Sequence, residues 1–124
     1  MTSLTDYAKN LLARSLVGRR PALPSAAYAA LGTGGSDATG VIGEPTGSGY
    51  ARQLVSFTGT GTQTNAAVIR FNFTSGPGTL THIGLFDAAS VGNALSWAPL
   101  ATPVTLTVAG SISIPIQSLS VLPD

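Results

Sequence analysis

The chain has two patterns of apolar positions, a helical one at its start and an alternating one over the rest. Residues 4–16 place apolar side chains three or four positions apart, the spacing that puts them on one face of a helix. Ser3 and Asp6 hold the positions of a capping box, and Gly18 lies where such a helix would end. The sequence therefore predicts an amphipathic N-terminal helix with an apolar stripe formed by Leu4, Ala8, Leu11, Leu12 and Leu16.

A basic, proline-containing linker follows this helix. Arg19 and Arg20 lie at its C-terminal end, where the helix dipole favours positive charge, and Pro21 and Pro24 favour extended backbone. We expect residues 1–20 to act as an anchor or an oligomerisation element through the apolar stripe together with Arg19 and Arg20. The stripe has two alternative partners, the chain's own β-domain or the surface of another subunit.

From residue 25 onward, apolar and polar residues alternate with the period of a β-strand. Residues 67–73 show it most clearly, while residues 104–108 and 112–116 predict a hairpin, and the glycine-rich residues 32–49 predict a long loop. Seven or eight short strands at near-regular spacing are typical of an antiparallel sandwich. The prediction is an all-β fold, an antiparallel β-sandwich or jelly-roll-like domain over residues 25–124, preceded by one N-terminal helix.

The composition changes this picture in one respect, which is the scarcity of charge. Only 9% of the 124 residues are charged and the formal net charge is +1, whereas 13 serines and 15 threonines supply much of the polarity. An ordinary soluble domain carries about 25% charged residues. A surface of hydroxyls and small residues favours a homo-oligomer whose surface is largely covered, the alternative being a hydroxyl-rich monomer.

The same figures exclude several classes of protein. The chain has no cysteine, so disulfides and thiolate metal sites are excluded. The weak charge without a basic block argues against nucleic-acid binding. No apolar run approaches the roughly 20 residues of a membrane span, so no membrane span is expected.

The candidates for catalysis are weak. His82 is the only histidine and no Gly-x-Ser-x-Gly elbow accompanies it, so a serine hydrolase is not supported and a structural role is expected for the ring. Asp37, Glu44 and Asp87 could supply paired carboxylates for glycoside cleavage, and Gly35-Ser-Asp37 could contribute to a calcium site. Roles in turns and caps explain these acids more simply, so no catalytic, metal or cofactor site is predicted.

Two aromatic residues raise the possibility of sugar binding. Tyr50 and Trp97 could form a stacking platform for a glycan beside residues 32–49. Aromatic side chains on short strands more commonly belong to the core. Exposure of either ring would favour the glycan interpretation, and burial of both would count against it.

Four segments, occurring in a fixed order, carry a family resemblance. They resemble a family of small tailed-bacteriophage virion structural proteins, described as head-fibre-like or tail-fibre-like or as capsid or neck decoration. Gly-Tyr-Ala-Arg and Thr-His-Ile-Gly-Leu-Phe-Asp are the most distinctive motifs, and within them Gly49 and Gly84 indicate bulges or close-packed positions. The four segments are Tyr28-Ala-Ala-Leu-Gly-Thr, Glu44-Pro-Thr-Gly-Ser-Gly-Tyr-Ala-Arg, Thr81-His-Ile-Gly-Leu-Phe-Asp-Ala-Ala-Ser and Leu95-Ser-Trp-Ala-Pro-Leu.

This resemblance implies a non-enzymatic β-sandwich built into the virion in many copies and assembled in the cytoplasm of the bacterial host. We expect a homo-oligomer, with a trimer as the first expectation, in contact with other virion proteins of the capsid, neck or tail. Its role would be to decorate or reinforce the head or the head–tail junction. The alternatives are a tail-fibre or tail-tip adhesin that binds host surface glycans and, less favoured, a small glycan hydrolase.

Overall fold

The computed structural model describes residues 2–121, which form one helix and twelve strands. The helix is α1 (Asp6–Leu16). The strands are β1 (Ser3–Leu4), β2 (Ala27–Gly32), β3 (Gly34–Ser36), β4 (Gly40–Ile42), β5 (Gln53–Val55), β6 (Phe57–Thr58), β7 (Gln63–Asn65), β8 (Ile69–Phe73), β9 (Gly78–Phe86), β10 (Ala94–Leu106), β11 (Gly110–Ile114) and β12 (Ser120–Val121).

A five-stranded antiparallel sheet forms the centre of the fold, with its strands in the order β1-β10-β9-β2-β5. Its inner strand β2 is buried on both faces, because Ala29 and Leu31 join the main core while Ala30 joins a smaller cluster on the opposite side. Such a strand reads as a continuous apolar run rather than as an alternation. The sheet is therefore covered on both faces.

The main core lies between this sheet and the antiparallel pair β8–β11. Ile69, Phe71 and Phe73 of β8 are buried, whereas Arg70 and Asn72 between them are exposed. This is the alternation that the sequence predicts for a half-buried strand. The predicted all-β, sandwich-like class with a single N-terminal helix is confirmed.

A third sheet, in the order β12-β7-β6, closes one end of the sandwich and depends on a buried asparagine. The Asn65 side-chain amide donates to the carbonyl oxygens of Ala67 and Pro115, both at 2.8 Å, and its oxygen accepts from the Leu119 N–H at 2.9 Å. Asn65 thus ties β7 to the segment after β11. Nothing in the alternation pattern singles this residue out, and the sequence analysis missed it.

The predicted hairpin between residues 104–108 and 112–116 is wrong. The chain does turn between β10 and β11, but β10 pairs with β9 whereas β11 pairs with β8. The turn carries the chain from one layer of the sandwich to the other. Two strands facing one core from opposite layers show the same alternation as a hairpin, so the sequence pattern does not distinguish them.

The prediction of a loop over residues 32–49 is also wrong in part. Strands β3 and β4 form a hairpin within it, and Val41 is buried against Ala30 and Phe86 on the second face of the central sheet. Residues 43–49 remain without strand structure. A strand as rich in glycine as Gly34-Gly-Ser36 lacks the alternation that would have identified it.

The helix begins two residues later than predicted. Thr5 is the N-cap, with its hydroxyl oxygen accepting from the Ala8 N–H at 3.2 Å and its hydroxyl donating to the Ala94 carbonyl at 2.7 Å. Ser3 is instead part of β1, opposite Trp97 in β10. Pairing with the sheet therefore takes precedence over the local capping box at this position.

The predicted helix end at Gly18 is confirmed by a Schellman motif. Gly18 has a φ of +80° in the left-handed region, which glycine adopts without steric cost. The Gly18 N–H donates to the Ser15 carbonyl at 3.3 Å, and the Arg19 N–H donates to the Arg14 carbonyl at 3.0 Å. These two bonds supply hydrogen-bond donors to carbonyl groups that have none within the helix.

Candidate functional site

An apolar groove of about 450 Å³ lies beside the N-terminal helix, between it and strands of the central and third sheets. The helix contributes Leu12 to one wall and the linker contributes Leu23. Phe57 of β6, Leu85 of β9 and Val121 of β12 are among the other residues that line the groove. The groove is thus a place where the helix, the central sheet and the third sheet do not fill the space between them.

The structure divides the predicted anchor stripe into two parts. Leu4, Ala8 and Leu11 are buried within the chain itself. Leu12 is 41% exposed and Leu16 is 87% exposed. Of the two alternative partners, the chain's own sandwich buries the first three residues, which also line the groove, and Leu12 and Leu16 are the exposed residues of the stripe.

The basic residues after the helix form no internal ion pairs. Arg14 is half-buried, and Arg19 and Arg20 are exposed. The ion pairs within residues 2–121 involve Lys9 and Arg52, and none involves these three arginines. Their charges face the helix C-terminus and solvent rather than a carboxylate of the described chain.

Arg52 of the Gly-Tyr-Ala-Arg motif forms an ion pair with Glu44 of the same segment. Arg52 binds Glu44 through two parallel bonds, Nη2 to Oε1 at 2.7 Å and Nε to Oε2 at 3.0 Å. Glu44 Oε2 also accepts from the Tyr50 hydroxyl at 2.6 Å, and the Tyr50 oxygen accepts from the Leu31 N–H at 3.1 Å. Two-point pairing of this kind is the strongest form of arginine–carboxylate contact.

The same guanidinium reaches the loop after β9. Arg52 Nη1 donates to the carbonyl oxygens of Ala88 at 3.0 Å and Val91 at 2.8 Å, and the guanidinium carbon lies 3.7 Å from the centre of the Phe86 ring. Only 8% of the Arg52 side chain is exposed, against 24% for Glu44. Arg52 therefore joins residues 44–52 to residues 86–91 in one network.

Charge states in this network follow from its contacts. Burial alone would raise the pKa of Glu44, but the hydrogen bonds from Arg52 and Tyr50 outweigh it and hold that pKa below its ordinary value. Burial, and then the bond to Glu44, raise the pKa of the Tyr50 hydroxyl. The bond to Glu44 raises the pKa of Arg52. Glu44 is thus held as a carboxylate whose oxygens are already occupied.

Trp97 and Tyr50 are both half-buried and both engaged internally. The Trp97 Nε1–H donates to Asp37 Oδ1 at 2.8 Å, and its ring covers Gly35 and stacks on His82 with centroids 6.1 Å apart. The Tyr50 ring stacks on two phenylalanines of β8 in the main core. This arrangement counts against a platform on which a sugar ring would stack.

The remaining polar candidates also hold the fold together. His82 Nδ1 lies 2.8 Å from the Thr81 hydroxyl, and Asp87 accepts from the Asn93 N–H at 2.7 Å, which closes the turn between β9 and β10. Among residues 2–121 no three acidic or histidine side chains come together in a group that would hold a metal ion. The helix in this part of the chain is too short to cross a membrane.

The comparison with protein families decides the class of this chain. A family model described as Podophage GP4 fiber I protein gp80 matches residues 3–122. The chain belongs to this family. The match spans α1, the groove and the Glu44–Arg52 network, and it confirms the resemblance to phage virion proteins.

Family membership makes the chain a virion-associated, fibre-like structural protein that contacts other virion components. No curated protein matches the sequence. The functional surface of such a protein is an interface with its neighbours. The exposed groove beside the helix is therefore the candidate site.

Proposed function

We propose that this chain is a non-enzymatic structural subunit that decorates or reinforces the head or the head–tail junction of a tailed phage. The proposal rests on the internal contacts made by the side chains of the family motifs. Glu44, Tyr50, Arg52, Asp87 and Trp97 all make internal contacts that brace loops and strands. A protein whose most distinctive side chains stabilise its own shape works through that shape.

The proposed position on the particle follows from the same contacts. A tail-tip adhesin that stacks sugar rings needs open aromatic faces, whereas the half-buried rings of Tyr50 and Trp97 stack on Phe71 and His82 of the same chain. Decoration or reinforcement requires only a rigid domain with surfaces that fit neighbouring subunits. The head or the head–tail junction is accordingly preferred to a receptor-binding tail tip.

Self-association is supported by an unprotected sheet edge. Strand β5 is the last strand of the central sheet and has no paired strand on its outer side within residues 2–121. Its residues Gln53, Leu54 and Val55 carry no charge, and Leu54 is 64% exposed. Proteins that remain monomeric commonly protect such an edge with lysine, proline or a bulge. We propose that β5 pairs with an edge strand other than β5 in another copy of the chain, because such a head-to-tail contact can close a ring whereas β5–β5 pairing gives a twofold dimer.

The proposed number of copies is three. In a closed ring, every copy of the chain makes the same contact with its neighbours. Phage shells and fibres are commonly built about threefold or sixfold axes. With a charge content of only 9%, the chain has a surface suited to close contact between identical neighbours. The trimer is the smallest assembly consistent with these axes.

The mass of the purified chain in solution tests the assembly. We expect light scattering to give three chain masses for the natural protein and one for Leu54→Lys, because a lysine on the edge strand opposes strand pairing. Val108→Lys is the matched control: Val108 is 69% exposed in the turn between β10 and β11, and its variant keeps the trimer. A natural protein that is monomeric at micromolar concentration, or an unchanged Leu54→Lys trimer, contradicts the proposed assembly.

A further inference from the structure

We propose that the groove beside α1 receives an acidic, partly apolar segment of a different virion protein, whose carboxylates bind Arg19 and Arg20. The inference rests on the proposed function, since it assumes that the chain is built into a virion. It adds the chemistry of the partner and the residues that receive it.

The apolar part of the inference rests on a cluster of exposed side chains at one place. Leu12 and Leu23 line the groove and are 41% and 60% exposed. Leu16 and Val17, at the end of the same helix, are more exposed still. Apolar side chains gathered in this way mark a contact surface, whereas single exposed ones do not.

The charged part rests on the position of the two arginines. Arg19 and Arg20 lie in the linker between Leu12 and Leu23, so no more than about 14 Å of chain separates either one from Leu23. Both are exposed, and neither forms an ion pair with a carboxylate of residues 2–121. An occupant of the groove that extends to residues 19–20 and carries carboxylates would pair with both charges.

Within the described residues 2–121, a second copy of the chain offers few carboxylates for this role. Among residues 2–121, Asp37, Glu44 and Asp87 already accept hydrogen bonds from side chains or backbone of their own chain. Asp6 is in the first turn of α1, where its charge complements the helix dipole. Two copies meeting at this face would also bring four exposed arginines together, which like-charge repulsion disfavours. The charges therefore favour a partner with a different sequence.

Reversal of the two charges tests the inference in virions of the phage that encodes the chain. We expect Arg19→Glu combined with Arg20→Glu to lower the number of copies per purified particle at least tenfold. The two arginines make no ion pair within the described chain, so the variant should keep its solution mass, and its thermal midpoint should fall only by the small loss of the favourable interaction with the helix dipole. Arg70→Glu is the matched control, because Arg70 is exposed on β8 and projects from the opposite side of that strand to its core residues.

The identity of the occupant is tested by a photo-crosslinking residue in place of Leu23. In intact virions we expect crosslinks to a segment of another virion protein that contains at least two carboxylates. Crosslinks to a second copy of the chain or to DNA, or no crosslink in virions that contain it, would overturn the inference. Normal incorporation of the double arginine variant would also overturn the inference, but it would not contradict the proposed function. Virions that lack the natural chain would instead contradict the proposed function itself.

Discussion

Among single residues, Glu44 and Arg52 have the greatest effect on the shape of the molecule. Their ion pair lies within one segment, and the Arg52 guanidinium, which is almost fully buried, also binds the loop after β9, far away in the sequence. A buried cation that loses its carboxylate keeps the cost of desolvation without the compensating attraction. Loss of Glu44 should therefore cost more stability than the attraction within the ion pair contributes, because Arg52 would stay buried without a counter-charge.

Glu44→Gln should lower the free energy of unfolding by about 2–3 kcal/mol at neutral pH, less than for a fully buried pair because Glu44 is partly exposed. Urea unfolding measures this. The control is Asp6→Asn, an exposed acid in the first turn of α1, whose cost should not exceed about 0.5 kcal/mol. Equal losses for the two variants would show that the network does not stabilise the fold.

Acid provides an independent test of the same pair. The pKa of Glu44 is lower in the folded chain than its ordinary value of 4.5, so its contribution is fully present above pH 4.5. That contribution is lost as the pH falls below 4.5 and through the folded pKa, because protonation removes the charge that Arg52 binds. The difference in stability between the natural chain and Glu44→Gln should therefore shrink with acid. A difference that stays constant from pH 7 to pH 3 contradicts the assignment.

This network was only partly accessible from the sequence. Glu44, Tyr50 and Arg52 lie within one distinctive segment, and Phe86 and Ala88 lie within another, so the motifs pointed to the right residues. What they could not show is that the two segments meet, because the contact spans 36 residues between Arg52 and Ala88. The ion pair became visible only with the tertiary fold.

At the scale of secondary-structure elements, the hairpin β3–β4 depends on a glycine of the central sheet. A Cβ atom at Gly84 would lie 2.6 Å from the Ser96 carbonyl oxygen and 2.6 Å from Val41 Cγ2. The expectation of close packing at Gly84 is thus confirmed. The absence of a side chain there lets the hairpin lie directly on the sheet.

Gly84→Ala should destabilise the fold by about 2–3 kcal/mol, as overpacking against backbone atoms does. Hydrogen exchange should show early loss of protection in β3 and β4. Gly110→Ala provides the control, because a Cβ atom there would have 3.7 Å to its nearest neighbour. If Gly84→Ala and Gly110→Ala unfold at the same denaturant concentration, the hairpin is not held in this way.

An element could be predicted from the sequence when its signal is carried by residues that are close together in the chain. The end of α1 at Gly18 and the strand β8 carry clear local signals and are where the sequence predicts them. Strand β11 pairs with β8 rather than with β10, and the alternation of apolar and polar residues does not indicate which partner it takes. The division of the chain into residues 1–20 and 25–124 stays a prediction, although β1 pairs with β10.

For the whole molecule, the sequence predicted the region of the candidate site better than its form. The apolar stripe and the arginines after it pointed to the N-terminal helix. The sequence could not show that Leu11 is buried while Leu12, about 100° further round the helix, is 41% exposed. Nor could it show that a groove stays open between the helix, Leu23 and the sheets.

The central claim is that the chain is a repeated structural part of a phage particle. The most direct measurement is the number of copies in purified virions, by quantitative mass spectrometry against a labelled standard. The account predicts several copies per particle in a multiple of three, and none in particles from a phage with the gene deleted. Fewer than one copy per natural particle would contradict it.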